Sequence, residues 1–398
     1  MAQTRKKHQR MNAREAFPLL GITVTAFIFN TSEFMPVALL TDIAASFAVS
    51  EAQAGMLISV YAWMVMALSL PLMMAASRME FKRLLLLVVL IFALGQFLSA
   101  IATSYFMLMG ARIIVACAHA IFWSIASPMA IRVVSEDHRH SAMGIVVMGS
   151  SVALIAGLPL GRVVGLALGW RMTFACVAAL SVIILAYLRW ALPRIPATEP
   201  FSPRGLPRLL RTGALRNTYV FVALMMTGYY ICYSYIEPYM LQVVGMDEMT
   251  VTFAISVFGI AGIAGSFLFS KFYVALRLKF FMASCIGVVV GLLALNLAPQ
   301  GIPVAFIVCA VLGLFVTALN VAMQSEVIRN SRLDDQAVAT SIYSGIFNLG
   351  IGGGSALGGI VVNVMGIGHI GSIGAALAAI AVVFCAACLM PCLQKSAR

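Results

Sequence analysis

The sequence predicts an all-α membrane protein with twelve transmembrane helices in two six-helix halves. Three observations predict it. Hydrophobic residues make up 62% of the 398 residues and charged residues 10%, against about 25% charged in a soluble domain. The apolar runs are long and show no period-two alternation, which selects helices over a barrel. Basic residues gather in every second connection between runs. One crossing takes about 20 residues, so about twelve fit in this length.

The first span, 17–40, follows a basic tail with Arg5, Lys6, Lys7, Arg10 and Arg14. It is too long for a signal h-region, so no cleavable signal peptide is expected. It carries Glu33 within Asn30-Thr31-Ser32-Glu33-Phe34-Met35-Pro36. A carboxylate in such a segment costs about 2.5–3.5 kcal/mol on insertion scales and is expected to face a cavity or a partner. Span two, 52–75, ends in a basic turn with Arg78, Lys82 and Arg83; span three is 84–102. Span four, 106–131, places Arg112, His119 and Trp123 on one face by their spacings of seven and four. Span five, 142–168, is glycine-rich (Gly149, Gly157, Gly161, Gly165), and span six is 171–191.

A polar connection, 192–216, holds Pro193, Pro196, Pro200, Pro203 and Pro207. It divides a first half, 1–191, from a second, 217–398. Span seven, 217–242, carries Glu237-Pro238 and five tyrosines: Tyr229, Tyr230, Tyr233, Tyr235 and Tyr239. Spans eight to twelve are 249–272, 280–298, 303–327, 336–363 and 368–390. The halves echo each other. Each opens with a span whose glutamate is followed by proline, and spans five and eleven are both glycine-rich. Parallel six-span repeats around a midplane site are a transporter plan.

The net charge of +12 does not indicate nucleic acid. If each span crosses once, the basic connections all fall on one side, with only Arg112, Arg162 and Arg171 outside the pattern. This is the positive-inside rule. It predicts cytoplasmic termini, a cytoplasmic 192–216 connection and contact with anionic lipid. The eight cysteines lie in or beside apolar runs. Cys385 and Cys388 have CxxC spacing but no second ligand pair, so they read as small apolar residues and not as a metal site. No phosphate-binding glycine loop with lysine, no GxSxG and no zinc motif is present, which speaks against an enzyme and against ATP-driven export. No cofactor is expected.

The chain resembles a major facilitator superfamily transporter over nearly its whole length. Ala153-Leu154-Ile155-Ala156-Gly157-Leu158-Pro159-Leu160-Gly161 resembles the glycine-proline motif of the family's drug and sugar proton antiporters, making Gly157, Pro159 and Gly161 a structural motif. Arg112 with Ala116 resembles the fourth-helix arginine motif. The turn 77–83 is a degenerate loop 2–3 motif that lacks the usual Asp and glycines. Four further stretches, 27–34, 118–124, 233–238 and 344–350, resemble the bacterial sugar efflux transporters of the arabinose-exporting type. The resemblance implies alternating access in the bacterial inner membrane, export of a small sugar against protons, and a cavity lined by spans one, four, seven and ten. Efflux of drugs or nucleosides on the same fold, and a non-transporting membrane sensor, are the competing readings. A monomer is expected.

The implied cavity would bring Glu33, the Arg112 stripe and Glu237 together. Glu33 and Arg112 lie at similar depth, about seven residues from the outer ends of their spans. Burial raises a carboxylate's pKa and a nearby arginine lowers it again, and histidine titrates near neutrality. Glu33, Arg112, His119 and Glu237 are therefore the candidate proton-coupling residues. The alternatives are a permanent Glu33–Arg112 ion pair and a His119 that only donates to a helix carbonyl. Candidate solute ligands are Asn30, Glu33, His119, Trp123, Tyr229, Tyr233, Glu237, Gln324 and Asn348, because hydroxyls, amides and aromatic faces suit a sugar. Tyr239 fits an interfacial belt. Glu326 is expected to pair with Arg329 at the cytoplasmic end. Asp42, Glu51, Asp247 and Glu248 lie at outer ends and are expected to meet solvent.

Overall fold

The computed structural model describes residues 11–76, 78–196, 211–332 and 336–395, and among these there is no strand. The tail 1–10 and the central part of the 192–216 connection lie outside the described residues. The helices are α1 Ala13–Ala38, α2 Leu40–Phe47, α3 Glu51–Ala76, α4 Phe81–Ala100, α5 Tyr105–Arg132, α6 Arg139–Val152, α7 Leu158–Leu168 and α8 Trp170–Ala191. The second half adds α9 Gly213–Tyr233, α10 Ile236–Gln242, α11 Glu248–Ala294, α12 Ile302–Arg329, α13 Gln336–Met365, α14 Ile370–Phe384 and α15 Met390–Lys395.

Among the described residues, ten helical stretches are long and apolar enough to cross a membrane. The count differs from twelve for two physical reasons. The stretch Glu248–Gln300 has 53 residues, about 80 Å at helical rise, against a hydrocarbon core of about 30 Å. It turns back at Leu276, whose φ −123° and ψ 30° are not helical. The eighth and ninth apolar runs are its two arms. The fifth run is α6 and α7, joined by a π turn at Ala153–Gly157. Pro159 has no N–H to give the carbonyl of Ile155, so regular α-helix cannot continue there.

Prolines set the other breaks. Pro238 cannot serve the carbonyl of Ser234, and the seventh run splits between α9 and α10 at Ser234-Tyr235. Tyr235 there stacks between glycines of both halves: Gly55 of α3 and Gly358 and Gly359 of α13.

Each half has its own apolar core. The core of the second half also takes in Val37, Leu40, Ala54, Ile58 and Leu158 of the first. The halves are thus packed together through the end of the bundle that carries α2, α7 and α10, the outer end in the predicted topology.

Candidate functional site

The central cluster starts from a missing amide. Pro36 lies inside α1 and cannot donate to the carbonyl of Ser32, which is left without its helical partner. Arg112 of α5 fills that place. Its Nη1 donates to Ser32 O at 3.1 Å and to Ser32 Oγ at 3.2 Å, and its Nη2 donates to Glu33 O at 3.3 Å. The guanidinium carbon lies 4.4 Å from the centre of the Tyr61 ring of α3. Gln96 Nε2 of α4 donates to the same Ser32 hydroxyl.

Arg112 is 1% exposed, yet among the described residues it forms no ion pair. Glu33 and Arg112 do lie side by side, but the alternative of a permanent ion pair between them is not what the structure holds: main-chain carbonyls and a phenol face occupy the guanidinium. The Glu33 carboxylate instead lies 3.5 Å from His119 Nε2. Tyr61 meets His119 edge-on, with ring centres 5.6 Å apart, and Trp123 lies one turn further at 6.1 Å. The stripe on α5 therefore does face Glu33.

Two polar atoms of this cluster are buried without a partner, the Tyr61 hydroxyl and His119 Nδ1, and on α13 so is Asn348 Oδ1. Burying such atoms unpaired is costly, and a polar solute or water would satisfy them. Asn348 Nδ2 donates to Ser344 O at 3.0 Å. Asn30 is nearly buried one turn below Glu33, with no hydrogen bond from its side chain among the described residues. Gln324 is exposed on the inner half of α12, a turn below Asn320, whose Oδ1 accepts from the Tyr343 hydroxyl at 2.7 Å.

The tyrosines of α9 divide. Tyr229 and Tyr233 stack on each other at 5.2 Å and line an apolar cavity with Val37, Leu158, Ile236 and Cys309. Tyr230 is the one within electrostatic reach of Glu33. Tyr235 and Tyr239 donate to Ser355 O and Leu295 O at 3.0 and 2.6 Å. Tyr239 is 1% exposed, so it is no interfacial belt residue: its ring is packed and its hydroxyl is spent on a main-chain carbonyl.

Glu237 does not join Glu33. Its Oε1 pairs with Arg162 Nη1 of α7 at 3.0 Å, and both side chains are essentially unexposed. Its Oε2 accepts from Thr41 N at 3.2 Å and Thr41 Oγ1 at 2.9 Å, so it caps one of the unpaired amides that open α2. Thr41 is eight residues beyond Glu33, about 12 Å outward at helical rise. Arg162 also donates to Ala38 O at the end of α1 and to the Glu248 carboxylate of α11. One buried cation thus ties α1 and α7 of the first half to α10 and α11 of the second. Gln242 to Glu51, and Ser355 Oγ to Gly55 O at 3.1 Å, join the halves in the same region.

The outer acids consequently do more than meet solvent. Glu248 and Glu51 are inter-half partners, and Asp247 caps α11 through the amides of Met249 and Thr250 at 3.0 Å. Thr250 also bonds the Asp247 side chain, and these bonds hold its carboxyl below the usual range. Partial burial pushes the Asp42 carboxyl up, against the pull of Arg162. Glu326 pairs not with Arg329 but with Arg277, whose Nε lies 2.6 Å from Oε1, and it also takes the Tyr273 hydroxyl. The turn at Leu276 carries Arg277 across to α12, a contact that sequence distance hides.

The glycine-proline stretch packs on α1. Gly157, Gly161 and Gly165 face Thr31, Met35 and Leu39, where a Cβ would collide or press. That close approach brings Arg162 to the last carbonyl of α1. Sequence reasoning missed Tyr61 and Arg162. Tyr61 carries no signal in an apolar run, but Arg162 did, as a basic residue on the wrong side of the charge rule.

The Major Facilitator Superfamily profile matches residues 22–278 and 238–397. The chain belongs to this family. Its relatives in the family include a probable sugar efflux transporter of Mannheimia succiniciproducens, 39% identical over 90% of each chain. One of the same description from Helicobacter pylori is 38% identical over 93% of each. Solved transporter structures share the fold. A POT family transporter in complex with 5-aminolevulinic acid has TM-score 0.78 at 11% identity, over 96% of this chain and 97% of that one. A bacterial homolog of the human lysosomal transporter Spinster has TM-score 0.75 at 16% identity, over the same shares.

Proposed function

We propose that the protein exports a small sugar, with arabinose the first candidate, in exchange for protons by alternating access of its two halves in a bacterial inner membrane. The sugar is what the relatives' descriptions name. The observation that carries the coupling is a mostly buried carboxylate, Glu33, that lies 3.5 Å from His119 and makes no ion pair with the neighbouring arginine. Such a carboxylate is available to a proton or to a solute hydroxyl. The unpartnered polar atoms on Tyr61 and His119 support a polar solute there, and the sealed outer end supports a state loaded from inside. The chain would act as a monomer, bathed in lipid.

His119→Ala and Trp123→Ala are each expected to weaken arabinose binding about tenfold or more, the scale of one or two lost hydrogen bonds or a stacked ring. Calorimetry on purified protein checks this. Normal binding by both variants would remove α5 from the site.

For topology, cysteine placed at the exposed Arg194 position in a cysteine-free background should be labelled in intact cells only by a membrane-permeant reagent. Labelling by an impermeant one would overturn the cytoplasmic placement.

The apolar cavity beside Tyr229 and Tyr233 favours a second reading, efflux of drugs or nucleosides with apolar parts. Competition by such compounds against labelled arabinose separates the two.

A further inference from the structure

Arg112 raises a question that the coupling proposal leaves open. A guanidinium only 1% exposed, bonded to the main chain at Ser32 and Glu33, would be expected to close on the Glu33 carboxylate. It does not, and two features outside the proton path account for this. Pro36 strips the Ser32 carbonyl of its helical donor, and that carbonyl then accepts from Arg112 Nη1 at 3.1 Å. Tyr61 offers its ring face at 4.4 Å, a cation–π contact strengthened by the dry surroundings.

We infer that Pro36 and Tyr61 are positioning residues that hold Arg112 on main-chain oxygens and a phenol face, so that the Glu33 carboxylate stays free to exchange its proton. The inference rests on the proposed coupling role of Glu33. The groups that face Glu33 are Arg112 and His119 from α5, Tyr61 from α3 and Tyr230 from α9. Of these, only Arg112 carries a fixed charge. With Pro36→Ala, residue 36 regains an N–H that competes for the Ser32 carbonyl. With Tyr61→Leu, the ring face is gone. In either variant the guanidinium loses an anchor, and the nearest replacement is the Glu33 carboxylate. An opposite charge at ion-pair distance favours the ionised carboxylate, so its protonation midpoint should fall by about 1–3 pH units. Tyr61→Phe keeps the ring and removes only a hydroxyl that has no partner.

The experiment follows the carboxylic acid band by infrared difference spectroscopy on the full chain in nanodiscs across pH, the band being assigned by its loss in Glu33→Gln. The expected result is a midpoint lowered by a unit or more in Tyr61→Leu and in Pro36→Ala, and unchanged in Tyr61→Phe. A midpoint unmoved in Tyr61→Leu, or in Pro36→Ala should the first variant not fold, overturns the positioning role. An equal fall in Tyr61→Phe also overturns it, since the hydroxyl and not the ring would be responsible. If no titrating band disappears in Glu33→Gln, the coupling role itself fails, a result distinct from an unmoved midpoint.

Discussion

Glu33→Gln is expected to abolish sugar accumulation driven by a pH gradient while leaving sugar–sugar exchange intact. Glutamine keeps the size and hydrogen-bonding outline of a protonated glutamate, so the contact with His119 at 3.5 Å can remain. No residue makes an ion pair with that carboxylate except His119, among the described residues. Arg112 is held by the Ser32 and Glu33 carbonyls and by Tyr61, so the variant does not strand a buried cation, and it should fold. For one proton exchanged per sugar, a gradient of one pH unit sustains about tenfold accumulation. The variant should fall to no accumulation. Labelled arabinose uptake into inverted vesicles, with and without the gradient, reads both quantities. Accumulation at the native level would remove Glu33 as the coupling group and pass the role to His119 or Glu237. Failure to fold would show that the charge is structural.

Arg162→Ala is expected to open the outer end. The side chain is fully buried, pairs with Glu237 and Glu248, and caps the last carbonyl of α1. Its loss leaves Glu237 ionised and unpaired in a site with no exposure, and removing one partner of a buried pair costs about 3–5 kcal/mol. That cost falls on the outward-closed state alone, because the pair spans the two halves. A penalty of this size shifts the balance between closed and open by about a hundredfold or more. Cys309 reports the shift. It lines the apolar cavity beneath the lock and is 3% exposed. With the other cysteines replaced, it should react with an impermeant thiol reagent from outside in Arg162→Ala and stay protected in the parent. Adding Glu237→Gln should restore part of the protection, since the stranded charge is then gone. Protection in the single variant would show that packing of α3 on α13, and not the ion pair, closes the outer end.

The membrane class, the rough place of the apolar runs, a carboxylate at Glu33 within the first of them and the face shared by Arg112, His119 and Trp123 were legible in the sequence. Each rests on short-range or additive physics: hydrocarbon thickness sets run length, helical period sets which side chains share a face, and the high cost of a buried charge singles out the few that remain. The proline breaks were not read from the sequence, although their cause is local. At Pro159 and Pro238 an amide that does not exist gives a π turn and a helix break.

The partners of the charges were not legible. Arg112 and Glu33 are matched in depth, yet a carbonyl freed by Pro36 takes the arginine. Glu237 repeats the Glu33-Pro36 pattern in the second half, yet it closes on Arg162 and Thr41, about 12 Å further out. Glu326 passes over Arg329 for Arg277, brought across by the turn at Leu276. Partition into the membrane is a sum over residues along the chain, so the sequence by itself determined the span layout and the class of protein. Pairing depends on which helix faces which, at what rotation and with which carbonyl left unserved. Those are properties of the packed bundle, and only the tertiary structure decided them.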